Sequence, residues 1–401
     1  MELLSSLALI CLSALLLGSL CAKIKLPPLL GMLIVGIVLG PYVFDLISPD
    51  ILHLSPDLRE IALIIILMRA GLNLDLNDLK KNGRSAVMLC FVPATAEILA
   101  YLLFGTLILQ LSLLDAAILG CVMAAVSPAV VVPRMLRLKE ERLGTDKGIP
   151  DMIMAGASAD DVFVIVLFTS FTAMAGGGAF SFHIVWQVPV SILLGIAAGA
   201  GMGALVALFV KRVHLRDSIK VILLLSISFL FVTLEDAVGA WVPFSGLLAV
   251  IAFGAAFYAL HRVCAGRLSE KFSRLWVFAE ILLFVLVGAE VDLSYALRSF
   301  GPILAVIFLA LLVRMGGVLL CVLGSRLNGR ERLFCMAAYT PKATVQAAIG
   351  AIPLSMGLAC GQTVLTAAVP AILITAPLGA FLTDLLAPRL LQREEIIAPS
   401  V

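Results

Sequence analysis

Charge is scarce in this chain. Asp, Glu, Lys and Arg make up 13% of its 401 residues, where a soluble domain carries about a quarter. A water-facing surface of ordinary extent cannot be covered at that level, so a large soluble domain is excluded. Histidine is nearly absent: His53, His183, His214 and His261 are the four, and each falls near the end of an apolar run, where solvated or interfacial side chains sit. The eight cysteines (Cys11, Cys21, Cys90, Cys121, Cys264, Cys321, Cys335 and Cys360) form no C-x-x-C pair, which argues against a zinc site or a disulfide framework. No glycine-rich nucleotide loop occurs, and the run Gly176-Gly177-Gly178 lies between apolar segments. The formal net charge of +2 offers no field for a nucleic-acid partner. The reading is of a non-enzyme without cofactors.

Apolar residues are what the chain has. They make up 62% of it, with a mean hydropathy of +1.14, and they fall into thirteen segments between residues 2–21 and 363–387. Taking the connecting loops alternately, 23 of the 28 Lys and Arg residues lie on one side, from Lys23 and Lys25 to Arg389 and Arg393. The opposite side holds Arg59 and Arg298 alone. Basic residues collect on the cytoplasmic side, so the pattern predicts an all-α polytopic membrane protein of about thirteen spans, N-terminus outside and C-terminus inside. Met1-Glu2 before a long apolar run reads as a first span and not as a cleaved signal.

The remaining three bases, Arg69, Arg314 and Lys342, lie within spans, as do four acids, Glu97, Asp160, Asp161 and Glu280. Charge inside the bilayer is costly and marks ion pathways or proton relays. Asp160 and Asp161 stand side by side, with Ser158 close by, in the run Ile149–Phe171. With four acids against three bases, the surplus acid calls for a cation or a proton in alternation. Glu97 and Arg314 occupy spans four and eleven and are expected to face each other, as a switching contact or as a fixed bridge.

Spans five and twelve each carry a Ser/Thr-Pro step, Ser127-Pro128 and Thr340-Pro341. Proline removes a backbone donor and clashes with the turn before it, so both spans are expected to be broken. They are seven positions apart in the order of spans, an odd offset that reverses orientation, as inverted repeats require. Lys342, just after the second break, is expected to offset the dipole ends of the half-helices there.

The runs SPAVVVP (127–133), GASADDV (156–162) and PKATVQAAIG (341–350) resemble the monovalent cation/proton antiporters, and within them the Asp-Asp branch that includes the B-type sodium/proton antiporters and their bacterial relatives. MRAGLNLDL (68–76), VGAEV (287–291) and APRLLQ (387–392) match as well. The resemblance implies the sodium/proton antiporter fold, with two crossed broken helices, in a homodimer. Residues 1–57 and 184–260 would form a dimerisation scaffold, 58–174 and 272–387 an ion-carrying core that shifts like an elevator, and 388–401 a short cytoplasmic tail. It implies Na⁺ or Li⁺ at Asp161, with Asp160 as its partner. Where many relatives have a lysine on span eleven, this chain has Arg314, which does not deprotonate; electroneutral exchange is the expectation.

Ser127 and Thr340 hydroxyls, freed carbonyls and water would complete an oxygen site suited to a hard cation. A carboxyl withdrawn from water keeps its proton to higher pH, so proton and cation can compete for one place. The membrane would be a bacterial plasma membrane. The rival readings are a K⁺/H⁺ antiporter, a Na⁺-coupled symporter of an organic anion, for which the breaks carry few polar residues, and a channel.

Overall fold

A computed structural model describes residues 2–74, 83–176, 182–238, 242 and 244–393. Lys80, Lys81, the end of the 68–76 match, the glycines at 177 and 178 and the tail beyond Arg393 lie outside the described residues, as do the side chains of Ser158 and His183. Regular structure among the described residues is helical, apart from one isolated bridge between Leu143 and Arg393. In chain order the helices are α1 Leu3–Lys23, α2 Pro28–Leu39, α3 Pro49–His53, α4 Ser55–Leu72, α5 Gly83–Leu89, α6 Val92–Ile108, α7 Leu113–Ala124, α8 Pro128–Glu140 and α9 Ile149–Gly176. They continue with α10 Phe182–Arg212, α11 Asp217–Val238, α12 Gly246–Leu260, α13 Arg262–Ala289, α14 Leu293–Val322, α15 Gly329–Ala338, α16 Thr344–Ile349, α17 Ile352–Ser355 and α18 Gly361–Leu390.

Local chemistry explains many of the boundaries. Proline opens α2, α3 and α8 as Pro28, Pro49 and Pro128, where its missing N–H has no intrahelical partner to lose. Ser112 caps α7 by accepting from Asp115 N at 3.1 Å. Asn328 and Glu331 form a reciprocal capping box at the start of α15, which satisfies two orphan donors at once. Asp292 caps α14, accepting from the Ser294 hydroxyl and amide and from Tyr295 N. Those donors, the Ser294 hydroxyl first, hold its carboxyl below the usual carboxylate range.

Among the described residues nine helical segments are long and apolar enough to cross a membrane, counting α5–α6 and α7–α8 as continuous, against the thirteen spans expected. The difference lies in α2, α12 and α16–α17, which are apolar but short, and in α4, whose length suffices but which carries Asp57, Arg59, Glu60 and Arg69. A 12-residue helix such as α2 rises only about 18 Å at 1.5 Å per residue, well short of a hydrocarbon core of about 30 Å.

The packing forms two groups. In one, α2 and α4 pack against α13, α4 also packs against α12, and α10 and α11 pack against α12. In the other, α6 packs against α14 and α7, α9 against α5, α7 and α8, and α15 and α16 against α18. Helices α4 and α13 therefore keep company with α2 and α12, although residues 58–74 and 272–289 fall on the core side of the expected division. The first group is joined backbone to backbone. A Cβ on Gly36 would lie 2.0 Å from Val285 O, one on Gly288 2.3 Å from Leu33 O, and one on Gly199 2.1 Å from Ala249 O. Small residues allow such approaches, and close packing is what holds helices together in lipid.

Polar ties close the far end of the second group. Lys147 Nζ lies 2.7 Å from the buried Glu331, and Arg134 reaches Asp384 at 3.6 Å. After α18 the chain runs back along the α8–α9 loop, where Gly144 N donates to Gln392 O at 2.8 Å and Arg393 Nε to Glu141 O at 3.2 Å.

The glycine contacts predict a paired result. Gly199→Ala places a methyl into the α12 backbone and should cost about 1–3 kcal/mol or more of stability. Gly201→Ala, two residues away with nothing within 4 Å, should leave stability unchanged or slightly raised. Thermal unfolding of the purified variants in detergent checks both, and equal melting points would refute the contact.

Candidate functional site

Two breaks in helix meet at the centre of the second group. Helix α7 ends at Ala124, residues 125–127 are non-helical, and α8 starts at Pro128. Residues 339–343 separate α15 from α16 in the same way. The two breaks are bonded to each other, Ser127 N donating to Pro341 O at 2.8 Å.

Each donor lost to a break is replaced from elsewhere. In an unbroken helix Val122, Met123 and Ala124 carbonyls would accept from residues 126, 127 and 128. Val126 N instead donates to Asp160 Oδ2 at 2.9 Å, Ser127 N turns to Pro341 O, and Pro128 has no N–H to give. The three stranded carbonyls take side-chain donors: Gln346 Nε2 at 3.1 Å for Val122 O, Lys342 Nζ for Met123 O and Arg314 Nη1 for Ala124 O. Gln346 Nε2 also donates to Ala125 O at 2.9 Å. The second break is served likewise. Pro341 leaves Ala337 O without its donor four residues on, and Thr340 supplies both its amide at 3.3 Å and its hydroxyl at 2.9 Å. Arg314 Nε donates to Tyr339 O at 3.0 Å, and Lys342 N donates to Thr375 Oγ1 at 3.0 Å. Buried backbone groups left unpaired are costly, so these side chains make the breaks tolerable inside a membrane.

Four of the buried charges form one network. Arg314 Nη1 lies 2.9 Å from Glu97 Oε2 and Nη2 lies 3.0 Å from Asp160 Oδ2. Lys342 Nζ lies 2.6 Å from Glu97 Oε1. Two acids face two bases, and Glu97, Asp160, Arg314 and Lys342 are each at most 1% exposed. The network balances with every member ionised. Asp161 stands outside it. It is buried at 9% exposure, next to Asp160 in sequence, and its Oδ1 has no hydrogen-bond partner; neither has Asp160 Oδ1. The site therefore joins a satisfied set of charges to one carboxyl whose charge no base in the network matches.

The residues singled out in the sequence are largely brought together. Glu97 from α6, Ser127 and Pro128 at the first break, Asp160 and Asp161 from α9, Arg314 from α14, and Thr340, Pro341 and Lys342 at the second break all belong to this crossing. Ser127 Oγ lies 3.4 Å from Thr344 Oγ1, and either can donate. Arg69 and Glu280 are apart from it: they interact with each other between α4 and α13. Sequence reasoning did not single out Gln346, Tyr339 or Thr375. Gln346 was readable in principle, as a lone amide five residues after Pro341 inside an apolar run. Nor did it find the contact of Arg59 Nη1 with Glu290 Oε2 at 3.0 Å, which Ser55 Oγ joins at 2.8 Å.

Comparison with known proteins bears on this geometry. The family model described as sodium/hydrogen exchanger, transmembrane, matches residues 10–387. The chain is 36% identical over 387 residues to sodium/hydrogen exchanger 9B2 of Mus musculus, covering 92% of this chain and 69% of that protein. It is 37% identical over 394 residues to the Homo sapiens protein of the same name, covering 92% and 71%. The structure of the sodium proton antiporter MjNhaP1 from Methanocaldococcus jannaschii at pH 8 superposes with a TM-score of 0.82 at 21% identity, covering 97% of this chain and 99% of that one. At that identity the likeness is one of fold.

The network predicts strong coupling between its members. Glu97→Gln alone should cost about 3–5 kcal/mol, because it strands buried positive charge. Lys342→Met alone should also destabilise, while the double variant should lose less than the sum of the two. Unfolding in detergent across the four-protein cycle checks this; additive losses would show the charges to be independent.

Proposed function

The chain belongs to the sodium/hydrogen exchanger family, and we propose that it exchanges Na⁺ (or Li⁺) for H⁺ across the membrane at the Asp161 carboxylate. The observation that carries this reading is the balanced network beside an unmatched acid. Glu97, Asp160, Arg314 and Lys342 satisfy one another, which leaves Asp161 to take its positive partner from solution. A proton or a Na⁺ ion can fill that place, but not both together. The Ser127 and Thr340 hydroxyls, one at each break, would supply side-chain oxygens for the cation. Asp160, held by Arg314 and Val126 N, lends its free oxygen to the site while its other oxygen keeps the breaks in register.

Coupling follows from charge. With Asp161 protonated or bound to Na⁺ the crossing carries the same net charge. With Asp161 bare it carries one more negative charge, and moving that through a membrane is disfavoured. The carrier thus shifts loaded and rests when empty. Arg314 keeps its proton throughout, so one H⁺ is traded for one Na⁺ and the cycle is electroneutral.

The moving part is the second packing group, α5–α9 with α14–α18, sliding past a scaffold of α1–α4 and α10–α13. Assigning α4 and α13 to the scaffold follows their packing on α2 and α12. The scaffold pairs two protomers in lipid, with the N-terminus outside and the C-terminal tail in the cytoplasm. Few contacts cross between the groups, as an elevator-like shift requires.

Two outcomes are expected in proteoliposomes with an internal pH dye. Asp161→Asn should abolish Na⁺-driven proton movement with the melting point in detergent held near wild type; full exchange would overturn the assignment. The wild-type rate should not respond when the membrane potential is clamped with valinomycin and K⁺. A potential-dependent rate would show that net charge moves and that a second group carries a proton.

A further inference from the structure

Gln346 has two ends, and the crossing uses only one of them. Its Nε2 faces Val122 O at 3.1 Å, Ala125 O at 2.9 Å and Met123 O at 3.5 Å. Three carbonyls can only accept, so the amide cannot turn over without setting oxygen against oxygen. Its Oε1 is thereby aimed away from α7. The residue is fully buried, and Oε1 meets no donor. A buried acceptor without a partner is expensive to keep, and groups of that kind in a folded protein call for a reason.

Its surroundings supply one. Gln346 and Asp160 hold adjacent residues of the same break, Ala125 and Val126; Gln346 Oε1, Asp160 Oδ1 and Asp161 Oδ1 are unpartnered oxygens that accept, and the Tyr339 hydroxyl at the second break lacks a partner as well. Acceptors gathered in this way suit a positive occupant. Helix α16, which carries Gln346, also borders a polar cleft through Ala348. Asp57, Arg59 and Glu60 of α4 line that cleft together with Ile352 and Ser355. A helix of six residues thus stands between the cleft and the crossing.

We propose that Gln346 Oε1 is a further oxygen ligand for the transported cation, on the α16 side of the crossing. The amide takes a hard monovalent ion through its carbonyl oxygen while its N–H groups hold the end of α7. This rests on the cation exchange proposed above. A neutral ligand adds affinity without charge, so it strengthens cation binding and leaves the one-for-one balance at Asp161 intact.

The test is proton flux in proteoliposomes against Na⁺ and Li⁺ concentration, for wild type, Gln346→Met and Gln346→Glu. Loss of one ligand oxygen should raise the apparent KM for Na⁺ about tenfold in Gln346→Met and change the Na⁺-to-Li⁺ ratio of KM values. Gln346→Glu keeps an oxygen but loses the donors. It should keep a KM near or below wild type even where stability and maximal rate fall. If both variants lose maximal rate alike with wild-type KM and ion ratio, Gln346 is a cap alone and the inference is overturned. Should either variant fold poorly, Gln346→Asn, shorter by one methylene, is tested by the rise in melting point on adding Na⁺ or Li⁺. A lost rise supports the ligand and a wild-type rise refutes it. Wild-type exchange in the same vesicles separates the two levels: its absence sinks the proposed function, and its presence with unchanged variants sinks only the role of Gln346.

Discussion

A missing hydrogen at Pro128 organises much of this molecule. Without that N–H the Ala124 carbonyl has no helical partner, and once the chain unwinds at 125–127 the Val122 and Met123 carbonyls lose theirs as well. In water such groups would be solvated. Inside a membrane-spanning bundle they must be met by protein, and Arg314, Lys342 and Gln346 meet them from two other segments. Two of those three donors are charged, which then demands buried acids. Glu97 and Asp160 answer that demand. The ion chemistry is thus a sequel to the backbone chemistry: a broken helix imports cations, cations import carboxylates, and the adjacent carboxyl of Asp161 is left over.

This order of causes separates what was readable in the sequence from what was not. The Asp160-Asp161 pair, the two proline steps and the facing of Glu97 and Arg314 could be read because charge and proline stand out against apolar runs. Their meeting in one crossing follows from the inverted offset of the two spans. Arg314 does more than its position disclosed: one planar fork meets Glu97, Asp160, Ala124 O and Tyr339 O. Gln346 escaped because an amide carries no charge and its importance lies in which backbone atoms it faces, a fact of three dimensions.

The bundle boundaries were legible only in part. Hydropathy marks where a span lies along the chain and says nothing about its neighbours, so α4 and α13 could not be placed beside α2 and α12. What places them is a set of glycines opposed to backbone, such as Gly71 against Ile251 and Gly288 against Leu33. Four of the thirteen expected spans correspond to helices that are short or charged among the described residues, because burial among neighbouring helices selects apolar residues as lipid does while tolerating a shorter or more polar helix.

The return of the chain onto the α8–α9 loop has a practical side. Gln392 and Arg393 are pinned to Gly144 and Glu141, so the far end of α18 is fastened to the loop leading into the helix that bears Asp161. A fluorophore placed on that segment would keep a fixed relation to the acid pair, and its distance to a second dye on α10 or α12 would report, one molecule at a time, any shift of the second packing group against the first.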